Sequence, residues 1–192
     1  MSTPTEKLSR VLSLVLRHAP EAIGVSLDRA GWVAVEELLG CLNHRTPSTP
    51  KRLRTLGEVS TELLLQAVRE DAKGRYELSP DFKRIRAAQG HSIPVELGHP
   101  ALTPPEVLYH GTYAEALPAI RREGLLPGAR HAVHLSGNSA TARIVGARRG
   151  RAVILTVLAG EMSREGFTFS QASNGVWLTA KVPAKYLREN PR

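Results

Sequence analysis

At 192 residues, with 42% hydrophobic content and ordinary glycine and proline usage, the chain can bury one sizeable core or two small ones. Its longest strongly apolar stretch, Ala152 to Ala159, falls far short of the roughly 20 residues a membrane helix needs, and MSTPTEKLSR at the N-terminus has no apolar signal core, so a globular, cytoplasmic protein without a membrane partner is expected. A net charge of +8 favours a polyanionic partner, nucleic acid first, because basic surface attracts phosphates and releases their counterions.

In chain order, Leu8, Val11, Leu12, Val15 and Leu16 recur at helical spacing and Ala19-Pro20 end the run. Arg17 and His18 are thereby expected in the last helical turn, where a cation complements the exposed carbonyls. A short strand and turn over Leu27 to Val33, a helix from Val35 to Leu42, a Pro/Ser/Thr-rich loop from Thr46 to Pro50 and a helix from Ser60 or Thr61 to Asp71 follow. Lys73 to Leu78 and Ile85 to Gln89 then pair as strands across a Ser79-Pro80-Asp81 turn. Helices followed by a hairpin predict a winged helix, although Gly57, Glu58, Glu62, Glu70 and Asp71 make the later helix a poor groove reader.

Residues 94–106 carry four prolines and few periodic apolar residues, as expected of a linker between an N-terminal lobe, 1–93, and a C-terminal lobe, 107–192. The second lobe begins with strand-like Val107 to His110, a helix from Tyr113 to Glu123 stopped at Gly124, and strand-like Ala132 to Leu135. A helix from Ala140 to Arg149, a strand from Ala152 to Leu158 and strands near Phe167–Phe169 and Val176–Leu178 complete an α+β reading.

The single cysteine, Cys41, excludes an internal disulfide and a multi-cysteine zinc site, and its expected role is helix packing. His131 and His134 form the closest histidine pair, but on a strand their odd spacing points the rings to opposite faces, so no metal is expected. No G-x-G-x-x-G follows a strand and no Walker-type loop occurs, so a nucleotide would have to be held in another way. Trp32 and Trp177 read as packing residues, since only 5% of the chain is aromatic and no aromatic ladder for stacked bases is present.

Six separated runs carry a more specific signal: L8 to H18, R84 to S92, Y109-H110-G111-T112, H134-L135-S136, V145-G146-A147-R148-R149-G150 and N174 to T179. In this order, over nearly the whole chain, they resemble the KptA-type RNA 2′-phosphotransferases. The resemblance implies a winged-helix-like lobe beside a split-sheet ADP-ribosyltransferase-like lobe that binds NAD as co-substrate, with the active site between the lobes. It places His110, His134 and Val176 at the three signature positions of a His-His-Val variant, and Arg17, His18, Arg75 and Arg148 in an Arg-His-Arg-Arg constellation. His110, Gly111 and Thr112 are assigned to nicotinamide and ribose, with His134 and Ser136 lining the same cleft and Val176 near the nicotinamide. The VG-x-R register selects Arg148 over its neighbour Arg149, and Arg84 and Arg86 are read as RNA-backbone contacts or surface charges.

The implied reaction removes an internal 2′-phosphate from RNA, a tRNA among the possible bearers, leaving a 2′-hydroxyl and releasing nicotinamide and ADP-ribose cyclic phosphate. A valine where related transferases carry a glutamate fits an anionic phosphate nucleophile, which needs no base to deprotonate it. Two other readings stay open at this point: an ADP-ribosyltransferase that modifies terminal phosphates of nucleic acid, and a non-catalytic winged-helix regulator that binds nucleic acid. No heptad pattern points to obligate assembly, so a monomer is expected.

Overall fold

A computed structural model describes residues 2–44 and 56–189. The loop expected at Thr46 to Pro50 lies outside the described residues. The chain divides into two compact units, Met1–Gly98 and His99–Arg192, each with its own apolar core.

The N-terminal unit starts with α1 (Pro4–Val15), where Thr3 and Glu6 form a reciprocal capping box and Pro4 occupies the first turn. Leu8, Val11, Leu12 and Val15 give the helix its buried face. The helix ends earlier than expected: Arg17 and His18 lie in the turn beyond it, not in its last turn. Pro20 bars Ala19 from helical backbone, so the turn goes no further; Ala19 sits at φ −148° and ψ 64°. The amides of His18 and Ala19 both bond to the carbonyl of Leu14, at 2.9 and 3.0 Å, and close the turn.

Helices α2 (Val35–Asn43) and α3 (Thr61–Arg69) bury Leu38, Leu42, Leu64 and Ala67 against α1, with Cys41 packed at the margin of the same core. Ser60 caps α3 by accepting from the Leu63 amide at 3.2 Å. Strands β1 (Val33–Ala34), β2 (Tyr76–Leu78) and β3 (Arg84–Ala87) form an antiparallel sheet in the order β1-β3-β2, with Ile85 opposite both Val33 and Leu78.

The C-terminal unit holds two further three-stranded antiparallel sheets. Strands β4 (Leu108–Tyr113), β6 (Ala152–Val157) and β9 (Leu187–Glu189) make one, with β6 central; β5 (Val133–Leu135), β8 (Trp177–Thr179) and β7 (Phe169–Gln171) make the other, with β8 central. The sheets are tied where Tyr109 and Ser136 exchange backbone hydrogen bonds of 2.9 and 2.8 Å. Helix α4 (Leu117–Glu123) follows a 3-10 turn, because Tyr113 still belongs to β4, and it stops at Gly124 with φ +79°.

Helix α5 (Ser139–Gly146) is capped by Asn138, whose Oδ1 accepts from the Thr141 amide at 2.8 Å. The α-helix expected through Arg149 ends three residues sooner, and Ala147–Arg149 form a 3-10 turn, in which successive residues step by about 120° around the axis. Helix α6 (Ala159–Arg164) and strand β9 have no counterpart in the sequence reading. The later strands sit one to two residues downstream of their expected positions. The molecule is thus a mixed α/β protein built from small antiparallel sheets. No helix among the described residues is long and apolar enough to cross a membrane.

Candidate functional site

The N-terminal unit gathers three of the expected cations. Arg17, 8% exposed, accepts the Ser92 amide at its carbonyl oxygen at 2.9 Å and donates Nη2 to the carbonyl of Arg75 at 3.2 Å. Its side chain runs past Gly90, where φ is +88°, a backbone conformation that favours glycine. The hydroxyl of Ser92 meets His18 Nδ1 at 2.9 Å. Ser92 therefore anchors Arg17 through its main chain and His18 through its side chain, across 74 residues of sequence.

Arg75 stands just before β2, held by Asp71 two residues beyond α3. Its Nε and Nη2 donate to Asp71 Oδ1 at 2.8 and 2.6 Å, and its amide donates to Oδ2 at 2.5 Å. Nη2 also reaches the Ser9 hydroxyl at 3.0 Å, and that hydroxyl lies 3.1 Å from the Tyr76 phenol. Burial acts to raise the Asp71 carboxyl, but the hydrogen bonds and charge of Arg75 outweigh it and hold the group below its usual value. Asp71 is thus ionised at neutral pH. Burial likewise pushes the Tyr76 phenol up, keeping it a neutral donor, and it donates to the Ser9 carbonyl.

In the C-terminal unit, Leu108, His110 and Thr112 share one face of β4 by strand alternation. His110 Nδ1 donates to the carbonyl of His134 at 3.1 Å. A carbonyl can only accept, so the proton sits on Nδ1. Burial holds the imidazole below its usual value and the charge of Arg130 acts in the same direction, against the hydrogen bond to His134. The ring is therefore neutral at pH 7 and Nε2 carries a lone pair.

His134 pairs with Leu178 in the β5–β8 ladder, and Ser136, just past β5, pairs with Tyr109 of β4. His134 and Leu178 accordingly share one sheet face, whereas Val133, Leu135 and Trp177 belong to the apolar core. Asn174 Oδ1 accepts from the Val176 amide at 3.4 Å and so shapes the β7–β8 turn, and Trp177 is a core residue.

Gly111 stands on the strand face opposite His110. A Cβ there would lie 1.7 Å from the carbonyl oxygen of Ala142, and one at Gly146 would lie 2.6 Å from that of Thr112. The two glycines let α5 approach β4 backbone to backbone. Arg148 is exposed in the 3-10 turn that follows α5. It belongs to a different unit from Arg17, His18 and Arg75.

Arg86 corrects the sequence reading. Its Nε donates to Glu77 Oε2 at 2.7 Å, Nη1 reaches the carbonyls of Ala30 and Leu97 at 3.3 and 3.4 Å, and Cζ lies 4.6 Å from the centre of the Trp32 ring. With its side chain only 15% exposed, it is a packing residue rather than a surface charge. Arg84 stacks over the same ring at 5.5 Å and pairs with Asp28. Asp71, Ser9 and Ser92 carry no local motif: the partners of Ser9 and Ser92 lie 66 and 74 residues away, and Asp71 stands in a stretch whose acids hide it.

A family model for the RNA 2′-phosphotransferases of the Tpt1/KptA family matches residues 3–181. Proteins called probable RNA 2′-phosphotransferase are similar over nearly the full length of both chains. That of Agrobacterium fabrum is 49% identical over 188 residues, covering 97% of this chain and 94% of its own. That of Burkholderia pseudomallei is 46% identical, covering 95% and 94%, and one from Escherichia coli is 47% identical, covering 93% and 92%.

Proposed function

The chain belongs to the Tpt1/KptA family of RNA 2′-phosphotransferases, and on that premise we propose that it is a cytoplasmic, monomeric enzyme that transfers an internal RNA 2′-phosphate, on tRNA or another RNA, to NAD. In this reading the N-terminal unit, Met1–Gly98, is a winged-helix-like phosphate binder and the C-terminal unit, His99–Arg192, is an ADP-ribosyltransferase-like NAD binder, the chain passing from one to the other within the segment 94–106. The single observation that carries it is the joint anchoring of Arg17, His18 and Arg75 through Ser92 and Asp71, which presents several fixed cationic donors without a Gly-rich phosphate loop.

Arg17, His18 and Arg75 hold the phosphoryl oxygens and offset charge as it redistributes, the role that the family resemblance also gives Arg148. No metal takes part. On the NAD side, the lone pair of His110 Nε2 suits a ribose hydroxyl or carboxamide N–H, with Gly111 and Thr112 on the same strand contributing to the pocket. His134, Ser136 and Val176 line the adjoining face, Val176 beside the nicotinamide.

A phosphate oxygen bonds to the ribose carbon that bears nicotinamide, and the carbon–nitrogen bond breaks with nicotinamide taking the electron pair. Val176 is compatible with this step, because a carboxylate there would repel the anionic nucleophile. The neighbouring ribose hydroxyl then attacks phosphorus and gives up its proton to solvent. The bond to the RNA 2′-oxygen breaks, His18 protonates that oxygen, and ADP-ribose cyclic phosphate leaves.

Nicotinamide release tests the reading. It should require an RNA with one internal 2′-phosphate and be absent with the same RNA bearing only hydroxyls. Release with neither RNA would reject the proposal, and sequence-specific duplex binding without release would favour a non-catalytic regulator. ADP-ribose retained on a terminal phosphate would instead favour an ADP-ribosyltransferase.

A further inference from the structure

We propose that Asp71 is a positioning residue for the transfer, fixing the guanidinium of Arg75 in the orientation from which it grips the phosphate; this rests on the RNA 2′-phosphotransferase reading. Asp71 lies four residues before Arg75, past the end of α3, and its carboxylate is divided between two tasks. Oδ2 takes the Arg75 amide at 2.5 Å, which fixes the main chain entering β2, and Oδ1 takes Nε and Nη2 at 2.8 and 2.6 Å, which fixes the side chain.

The carboxylate side chain is 2% exposed and that of Arg75 is 27% exposed. Such a pair differs from a solvated surface bridge, in which two long side chains keep most of their freedom. Ser9 adds a third fixed point, receiving Nη2 at 3.0 Å, and the Tyr76 ring lies beneath Cζ at 5.7 Å. The Nε and Nη2 atoms thus face protein acceptors. Among the described residues, the hydrogen bonds of Arg75 leave Nη1 to serve a ligand.

A site selected only to attract phosphate would not place a buried carboxylate against one of its cations. Asp71 cancels part of the positive charge, which weakens ground-state attraction, and in exchange it holds the donor still. Fixed donors lower the barrier to transfer because no reorganisation is needed when charge moves. Loss of Asp71 should therefore slow turnover more than it weakens RNA binding, since the released charge offsets the poorer alignment.

The experiment is a double-mutant cycle in the full chain, comparing Asp71→Ala, Arg75→Ala and the pair. Turnover and KM would be measured for a short RNA carrying one internal 2′-phosphate at saturating NAD, with thermal melting alongside. Asp71→Ala should lower kcat about tenfold or more while KM for RNA changes less than about threefold, and the double variant should be no slower than Arg75→Ala alone. Asp71→Asn, which keeps an acceptor at Oδ1 and serves if the alanine variant does not fold, should recover part of the rate.

A wild-type kcat in Asp71→Ala or Asp71→Asn, or losses that multiply between Asp71→Ala and Arg75→Ala, would overturn the positioning role. Failure of the unaltered protein to dephosphorylate the RNA would overturn the functional reading, and this proposal with it.

Discussion

His110 donates Nδ1 to the main-chain carbonyl of His134, 3.1 Å away on the neighbouring sheet, and so the tautomer of one signature histidine is set by the backbone of the other. Burial holds the ring below the ordinary histidine value of 6.5, so the folded protein binds this proton less readily than the unfolded chain does. The contribution of His110 to stability is whole above about pH 6.5 and declines as the pH falls through and below that value. Protonation would also convert Nε2 from acceptor to donor. NAD affinity, followed calorimetrically between pH 8 and pH 5, should weaken toward acid; affinity that strengthens toward acid would contradict the assigned tautomer.

Ser92 supplies the hydroxyl that meets His18 Nδ1 at 2.9 Å. Its replacement by alanine removes one anchor of a ring proposed to protonate the departing RNA oxygen in the second step. Ser92→Ala should slow formation of dephosphorylated RNA about tenfold, with a smaller effect on nicotinamide release, so that ADP-ribosylated RNA accumulates. Ser92→Thr, which keeps the hydroxyl, should restore most of the rate. Product time courses resolved by chromatography would decide this, and equal slowing of both products would refute it.

Gly111→Ala places a methyl group 1.7 Å from the Ala142 carbonyl oxygen, a distance only a shift of the whole helix could relieve. The expected loss is about 3 kcal/mol or more for the C-terminal unit, enough to lower its melting temperature by more than about 10 °C. Gly40 in α2 gives the opposite outcome, because nothing lies within 4 Å of its Cβ position. Gly40→Ala should stabilise the N-terminal unit by about 0.5–1 kcal/mol through helix propensity. Thermal melts of both variants would check the pair.

Arg86→Ala removes a guarded ion pair with Glu77 and a guanidinium stacked on Trp32. A cost of about 2–3 kcal/mol in stability is expected. The salt dependence of RNA binding should keep its slope, whereas Arg17→Ala should flatten it by about one charge. A flattened slope in Arg86→Ala would return Arg86 to the RNA surface.

Local signals made much of the element order legible. The capped amphipathic run of α1, the two-residue alternation through His134 and Ser136, and the glycine stop after α4 each follow from spacing that a short window contains. What escaped depends on distance. The anchoring of His18 by Ser92 spans 74 residues and the bond from Arg17 to Arg75 spans 58, and no short motif records either partner. Asp71 reads as one more acid in a poorly basic helix until its carboxylate is placed against Arg75. Strand β9 is three residues with two charges, so its pairing with β6 is tertiary in origin. The end of α1 is also hidden, because the apolar spacing runs on to Leu16, one residue past the last helical position, Val15.

The most direct measurement follows the phosphate itself. An RNA with one isotopically labelled internal 2′-phosphate would be incubated with the protein and NAD, and all products resolved by mass. The label should move entirely into ADP-ribose cyclic phosphate, with one nicotinamide released for each 2′-hydroxyl formed. Label released as inorganic phosphate, or dephosphorylation that proceeds equally well without NAD, would contradict that transfer.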